Sequence, residues 1–83
     1  MATIVTFNVF RETDMNPRFI FSTPVERDAI DFMKHNANHA EDIGYGIEYF
    51  IEQQSYSSGS KTITTKKIWK SMKTNLKYIA TRY

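Results

Sequence analysis

The chain has 83 residues, of which 41% are hydrophobic and 24% charged, and it contains no cysteine. A chain of this length forms one small domain over 1–83 with a thin core. The lack of cysteine excludes a disulfide framework and a thiolate metal site. The formal net charge of +2 hides an asymmetry, because residues 1–52 hold four bases and all nine acids, whereas residues 53–83 hold seven bases and no acid. Such an asymmetry indicates an anionic partner for the basic end, or an internal match between the two halves.

The start of the sequence shows no basic stretch followed by an apolar run, and no stretch approaches the roughly 20 apolar residues that span a bilayer. We therefore expect no membrane partner and a cytoplasmic location in the producing or host cell.

Two strands are expected near the N-terminus. Residues 3–11 alternate between apolar and polar side chains, which is typical of a half-buried strand, and residues 18–22 alternate in the same way. The polar residues between them favour a turn, so an antiparallel hairpin is predicted. Four apolar side chains occupy strand positions that alternate with the predicted core residues: Ile4, Phe10, Ile20 and Phe50. They predict a second apolar face of the sheet. A helix or a homodimer would cover this face, or it would bind a partner.

A helix is predicted to follow Thr23-Pro24-Val25-Glu26, because Thr caps the first amides, Pro suits the first helical position and Glu can close a capping box. Its end is predicted at residues 35–38, since Asn tolerates the left-handed stop conformation.

Residues 43–54 fit either a strand or a helix. The strand is favoured, because Gly44 and Gly46 would each cost about 1 kcal/mol inside a helix, whereas Tyr, Ile and Phe suit a pleated surface. Residues 61–65 could add a short further strand, because Thr62, Ile63 and Thr64 are β-branched.

A basic amphipathic helix is predicted over about 65–81. Its apolar residues are spaced by 4, 4, 3 and 4, and four lysines are spaced by 4, 3 and 4 on another face. Such a stripe would track phosphates or meet an acidic surface, with aromatic rings beside it as anchors. The alternatives are a solvated face or an internal match to the acidic half. The predicted partner-binding residues are Lys66, Lys67, Lys70, Lys73, Lys77, Trp69 and Tyr78.

These elements predict an α+β fold in the order β-β-α-β-(β)-α, with an antiparallel sheet of three strands, or four, and two helices on one face. The predicted core comprises Val5, Phe7, Val9, Phe19, Phe21, Val25, Ala29, Phe32, Met33, Ile47, Tyr49, Ile51, Ile68, Met72, Leu76 and Ile79.

The sequence gives little indication of catalysis or of metal binding. His35 and His39 could share a metal with Glu41 or Asp42, but the Asn-Ala-Asn between them is expected to end the helix and break the spacing. No residue pattern marks an apolar pocket for a pair of catalytic carboxylates. We expect no enzyme activity, no cofactor and no metal.

The element order over residues 3–54, the small size and the Ser-Thr-Pro-Val-Glu junction around Thr23 resemble those of several small phage proteins that inhibit host machinery. These include an inhibitor of bacterial RNA polymerase and some anti-CRISPR proteins. The resemblance implies a non-enzymatic protein-binding module that occupies a surface of a larger protein or nucleoprotein complex. The alternative is a nucleic-acid-binding module without sequence specificity that uses the C-terminal lysines, and a homodimer is also compatible.

Overall fold

The computed structural model describes residues 3–12, 16–42, 48–59 and 62–83. In these ranges the chain forms five strands and one helix: β1 (Thr3–Arg11), β2 (Arg18–Thr23), α1 (Glu26–Asp42), β3 (Tyr49–Ser57), β4 (Thr62–Lys73) and β5 (Tyr78–Arg82). No helix in this part of the chain is long and apolar enough to cross a membrane.

The strands form a single antiparallel sheet in the order β2-β1-β3-β4-β5. β1 and β2 form a local hairpin, and β3, β4 and β5 form a meander. The ladder between β1 and β3 joins these two units, and α1 packs on one face against all five strands. The predicted sheet of three or four strands with two helices is therefore wrong, although the fold remains a combination of a helix and an antiparallel sheet.

The predicted C-terminal helix is replaced by β4, a turn and β5. Its supposed apolar seam does not share one environment, because Ile68 is buried whereas Leu76 is 94% exposed. Thr74 closes the turn: its backbone N–H donates to the carbonyl oxygen of Lys77 at 2.8 Å, and its hydroxyl oxygen accepts from the Lys77 N–H at 3.1 Å. The helical spacing misled because β-branched and aromatic residues gain more from cross-strand pairing than from local helix formation.

The N-terminal predictions are closer to the structure. The hairpin of β1 and β2 is confirmed, and Thr23 Oγ1 accepts a hydrogen bond from the N–H of Val25 at 3.2 Å just before the helix. The predicted helix end at residues 35–38 is wrong, because α1 continues to Asp42. The asparagine side chains are satisfied inside the helix; for example, Asn36 Nδ2 donates to the Phe32 carbonyl oxygen at 2.9 Å.

The strand that was favoured within residues 43–54 is confirmed from Tyr49 onward, while residues 43–47 lie outside the described residues. Residues 62–65 of the predicted short strand are the beginning of the longer β4, and residue 61 lies outside the described residues.

The core lies between α1 and the sheet. Its fully buried members come from the middle of the helix and from the three central strands, with Tyr78 from β5: Val9, Ala29, Met33, Ala37, Tyr49, Ile51, Ile68 and Tyr78. Four residues of the predicted core are exposed instead, namely Phe19, Val25, Met72 and Leu76. Ile47 lies outside the described residues. Phe19 and Met72 lie on strands with their side chains away from α1, Val25 precedes α1, and Leu76 lies in the turn between β4 and β5.

Candidate functional site: the open face of the sheet

The face of the sheet opposite to α1 is the candidate binding surface, and we call it the open face. Val9, Ile51 and Trp69 are consecutive cross-strand partners that pack with the core below α1. Because successive side chains of a strand point to opposite faces, their neighbours Phe10, Phe50 and Lys70, which are also cross-strand partners, lie on the open face.

An irregularity in β4 decides which lysines reach this face. Trp69 pairs with Ile51 and Lys67 pairs with Glu52, so β4 has one residue more than β3 at this point. The extra residue is Ile68, and both Ile68 and Trp69 pack into the core under α1. Such a bulge changes the alternation by one position. As a result, Lys67 and Lys70, three residues apart, lie on the same open face.

Aromatic rings and these two lysines form a contiguous group on the open face. The Phe10 ring stacks on Phe50 with a centroid distance of 5.0 Å and meets the Phe19 ring edge-on at 5.8 Å. The Lys67 Nζ lies 4.6 Å from the centroid of Phe50. We call Phe10, Phe19, Phe50, Lys67, Lys70 and Tyr83 the aromatic–lysine cluster.

Tyr83 forms the other side of the aromatic–lysine cluster. Its ring centroid lies 5.4 Å from the Lys70 Nζ and 5.9 Å from the Lys67 Nζ. The backbone N–H of Tyr83 donates to the carbonyl oxygen of Ile68 at 3.2 Å, which fixes the residue beyond the end of β5. Contacts between an ammonium group and a ring are worth about 0.5–1 kcal/mol at exposed sites, so both lysines are partly ordered before any partner binds.

The cluster combines a buried floor with accessible edges. Phe50 is only 2% exposed although no helix lies above it, because Phe10 stacks on its ring and the Lys67 side chain extends over it. Phe19 and Tyr83 are 55% and 58% exposed, and Lys67 and Lys70 are exposed as well. The face therefore offers two rings and two ammonium groups on a rigid base.

Polar side chains form a second row next to the aromatic–lysine cluster. Ser22 Oγ donates to Asn8 Oδ1 at 2.9 Å, and Asn8 Nδ2 donates to Gln54 Oε1 at 3.0 Å. Glu52 is the cross-strand partner of Asn8 on one side and of Lys67 on the other. This row links three strands by side-chain hydrogen bonds.

Apolar side chains are concentrated on the open face. Most of the exposed large apolar residues of the described chain belong to it by strand register or ring contact: Ile4, Phe19, Ile63, Met72 and Tyr83. Phe19, Met72 and Tyr83 lie at the end of the face that holds the aromatic–lysine cluster, whereas Ile4 and Ile63 lie beyond the polar row. Exposed apolar side chains concentrated in this way are typical of a surface that binds another macromolecule. The predicted second apolar face is thus present for Ile4, Phe10 and Phe50, whereas Ile20 packs against the core.

The predicted lysine stripe does not exist as one surface, because its residues lie on strands and a turn. Lys67 and Lys70 lie on the open face, Lys66 lies on the side of α1 by its pairing with Gln53, and Lys77 lies in the turn between β4 and β5. Lys73 ends β4 opposite Tyr78. The structure brings together only two of the five predicted lysines.

The two predicted aromatic anchors lie on the side of the helix. Tyr78 is 6% exposed and belongs to the core. Trp69 is half-buried; its Nε1 donates to Glu26 Oε2 at 3.1 Å, and the Arg82 guanidinium lies 4.8 Å from its ring centroid. The exposed rings on the open face are instead those of Phe19 and Tyr83. The sequence feature that pointed to this region is the second apolar face predicted from Phe10 and Phe50, which contact the exposed rings or the lysines.

The two histidines and a cavity at one end of the sheet are the other candidate sites. His35 and His39 lie on a continuous helix, four residues apart, but no group of three His, Cys, Asp or Glu residues in the described ranges could hold a metal ion. A cavity of about 380 Å³ at one end of the sheet is lined by both acids and bases, including Glu12, Glu48 and Lys70. Mixed charge of this kind does not favour an anionic or a cationic ligand.

Comparison with protein-family models, with curated proteins and with solved structures gave no match for this chain.

Proposed function

We propose that this protein is a non-enzymatic binding module whose open face occupies an acidic surface of a larger protein. The observation that carries the proposal is the coincidence of an uncovered apolar patch with two lysines held against aromatic rings. Protein interfaces are enriched in aromatic residues and Met at their centre and place charge at the rim. The exposed Phe19, Met72 and Tyr83 supply aromatic and Met side chains of this kind, and Lys67 and Lys70 supply the charge.

Two features favour a protein over a single-stranded nucleic acid. Met72 beside the cluster, and Ile4 and Ile63 beyond the polar row, add aliphatic side chains to the face, and these have no flat ring on which bases stack. The partner of Lys67 across the strands is the acidic Glu52, so the face lacks the continuous positive track that follows a phosphate backbone. The β-β-α-β order of the phage inhibitors is present in β1–β2–α1–β3, and an inhibitory role by surface occupancy is part of the proposal.

The test uses a photo-crosslinking amino acid placed at Tyr83 on the open face and, as a control, at Asp28 on the exposed side of α1. In the producing or host cell, a discrete crosslinked protein is expected from the first position only. The protein identified by mass spectrometry is then purified, and its affinity is measured with Lys67→Glu/Lys70→Glu and with Arg27→Glu/Lys66→Glu. Both double variants change the net charge equally, so only the first should weaken binding, by about tenfold or more.

A nucleic-acid partner would give a different result. Fluorescence anisotropy with a labelled single strand of about 12 nucleotides should show no saturable binding. An affinity that falls steeply between about 50 and 200 mM salt, and that is lost in Lys67→Glu/Lys70→Glu, would replace the protein partner with nucleic acid. Equal crosslinking from Asp28 and Tyr83, or equal affinity of the two double variants, would refute the open face as the site.

A further inference from the structure

The outer edge of β5 is separate from the open face. β5 is the last strand in the sheet order, so within the described residues one side of its backbone has no neighbouring strand. The N–H of Tyr83 donates inward to Ile68 on β4, and the carbonyl oxygen of Lys77 accepts inward from Thr74. Because backbone groups alternate along an antiparallel strand, the N–H and C=O groups of Tyr78, Ala80 and Arg82 point outward.

A side chain from α1 already occupies the first of these three positions. Asn38 Oδ1 accepts from the Tyr78 N–H at 2.8 Å, and Asn38 Nδ2 donates to the Tyr78 carbonyl oxygen at 3.2 Å. One amide group thus replaces the backbone of a neighbouring strand at Tyr78. No such side-chain cover is present at Ala80 or Arg82 in the described structure, so the open part of the edge begins directly beyond Asn38.

A groove lies at this edge and extends from Asn38 and Lys77 to Ala80, the first position of the open part. It has a volume of about 340 Å³ and lies between the flank of α1 that carries Ile30 and Lys34 and the strand residues Tyr78 and Ala80. Ile30 and Ala80 give the groove apolar contacts. An extended peptide in the groove would pair its backbone with Ala80 and Arg82 and place alternate side chains against α1.

The positive charge of the groove favours an acidic occupant. The described residues that line it include Lys34, His35 and Lys77 but no Asp or Glu, and Arg82 lies at the far end of the open edge. Asp31 forms an ion pair with Lys34 at 3.9 Å on the helix surface, where the Lys34 side chain is 44% exposed and that of Asp31 is 60% exposed. A second copy of β5 would bring Lys77 and Arg82 of both copies together, an arrangement that natural sheet edges use to prevent pairing.

We propose that the edge of β5 binds an extended acidic peptide segment by strand addition, with Asn38 limiting the pairing to Ala80 and Arg82. This surface is separate from the open face and does not depend on the function proposed for it. The basic C-terminal third of the chain would then serve two surfaces: Lys67 and Lys70 on one, and Lys77 and Arg82 on the other.

The probe is a capped peptide of about six residues that alternates valine with aspartate. Titration calorimetry should show binding that a peptide with lysine in place of aspartate lacks. Peptide binding should shift the amide resonances of Ala80 and Arg82. Methylation of alternate peptide amides should abolish binding to the unchanged protein, because strand addition requires the backbone N–H groups.

Protein variants test the same contact. Ala80→Pro removes an outward N–H, which an edge strand tolerates, and should weaken peptide binding about tenfold, whereas Ala80→Val should retain it. Lys67→Glu/Lys70→Glu should have no effect, which separates this proposal from that for the open face. Binding of the lysine peptide with equal affinity, or unchanged binding in Ala80→Pro, would overturn the proposal. A dimer seen by sedimentation and lost in Ala80→Pro would replace the acidic peptide with a second copy of the chain.

Discussion

Replacing Phe50 by alanine should destabilise the protein strongly, although Phe50 lies on the face without a helix. The ring is 2% exposed and stacks on Phe10 at 5.0 Å with an interplanar angle of 10°. Truncation of a buried Phe typically costs about 3–5 kcal/mol. Because Phe10 and the Lys67 side chain can move into the space and water can enter from the open side, we expect about 3 kcal/mol, the lower end of this range.

The matched control for this substitution is Leu76→Ala, also an apolar truncation, at a residue that is 94% exposed in the turn between β4 and β5. It should change the free energy of unfolding by less than about 0.5 kcal/mol. A C-terminal helix with Leu76 in its apolar seam would instead require a loss of about 2 kcal/mol or more.

Urea unfolding followed by circular dichroism measures both variants. With a slope of about 1 kcal/mol per molar urea, typical of small domains, the midpoint of Phe50→Ala should fall by about 2–3 M, while that of Leu76→Ala should not move. A loss below about 1 kcal/mol for Phe50→Ala would show that its ring is not enclosed. A loss above about 1 kcal/mol for Leu76→Ala would refute the strand–turn–strand arrangement of the C-terminal third.

Two smaller effects are also expected. Asn38→Ala should cost about 1–2 kcal/mol, because the two outward backbone groups of Tyr78 lose their partner, and hydrogen exchange of the Tyr78 amide should accelerate; unchanged exchange would contradict the edge contact. Lys67→Ala should cost about 0.5–1 kcal/mol by exposing Phe50, whereas Lys66→Ala should stay within about 0.5 kcal/mol in the same urea assay. Equal losses in the two lysine variants would show that the contact with Phe50 contributes no stability.

The N-terminal part of the fold could be predicted because its signals are local. The alternation of residues 3–11 and the Thr-Pro junction before α1 depend on neighbours in sequence, and β1, β2 and the start of α1 confirm them. The end of α1 could not be predicted in this way. Asn38 reads as a stop signal, but its amide is satisfied by the Lys34 carbonyl oxygen and by Tyr78, a residue distant in sequence.

The prediction for the C-terminal part was wrong because the pattern of its side chains fits the period of a helix as well as that of strands. Without the bulge at Ile68, strict alternation would put Lys67 and Lys70 on opposite faces, so sequence alone could not place them together. The aromatic rings of the candidate site come from β1, β2, β3 and the residue after β5. Only the assembled sheet brings these rings beside the lysines, so the spacing along residues 65–81 could not place them together.

The ladder between β1 and β3 also has a consequence for how the chain folds. It is the strand pairing that joins the β1–β2 hairpin to the β3–β4–β5 meander, and it pairs Thr3 with Ser57 and Arg11 with Tyr49. Each unit can form from contacts close in sequence, but their union must close a long loop that contains α1. We expect this closure to limit the refolding rate. A substitution such as Val9→Ala should therefore slow refolding more than it accelerates unfolding, and stopped-flow measurements showing the reverse would contradict this order of events.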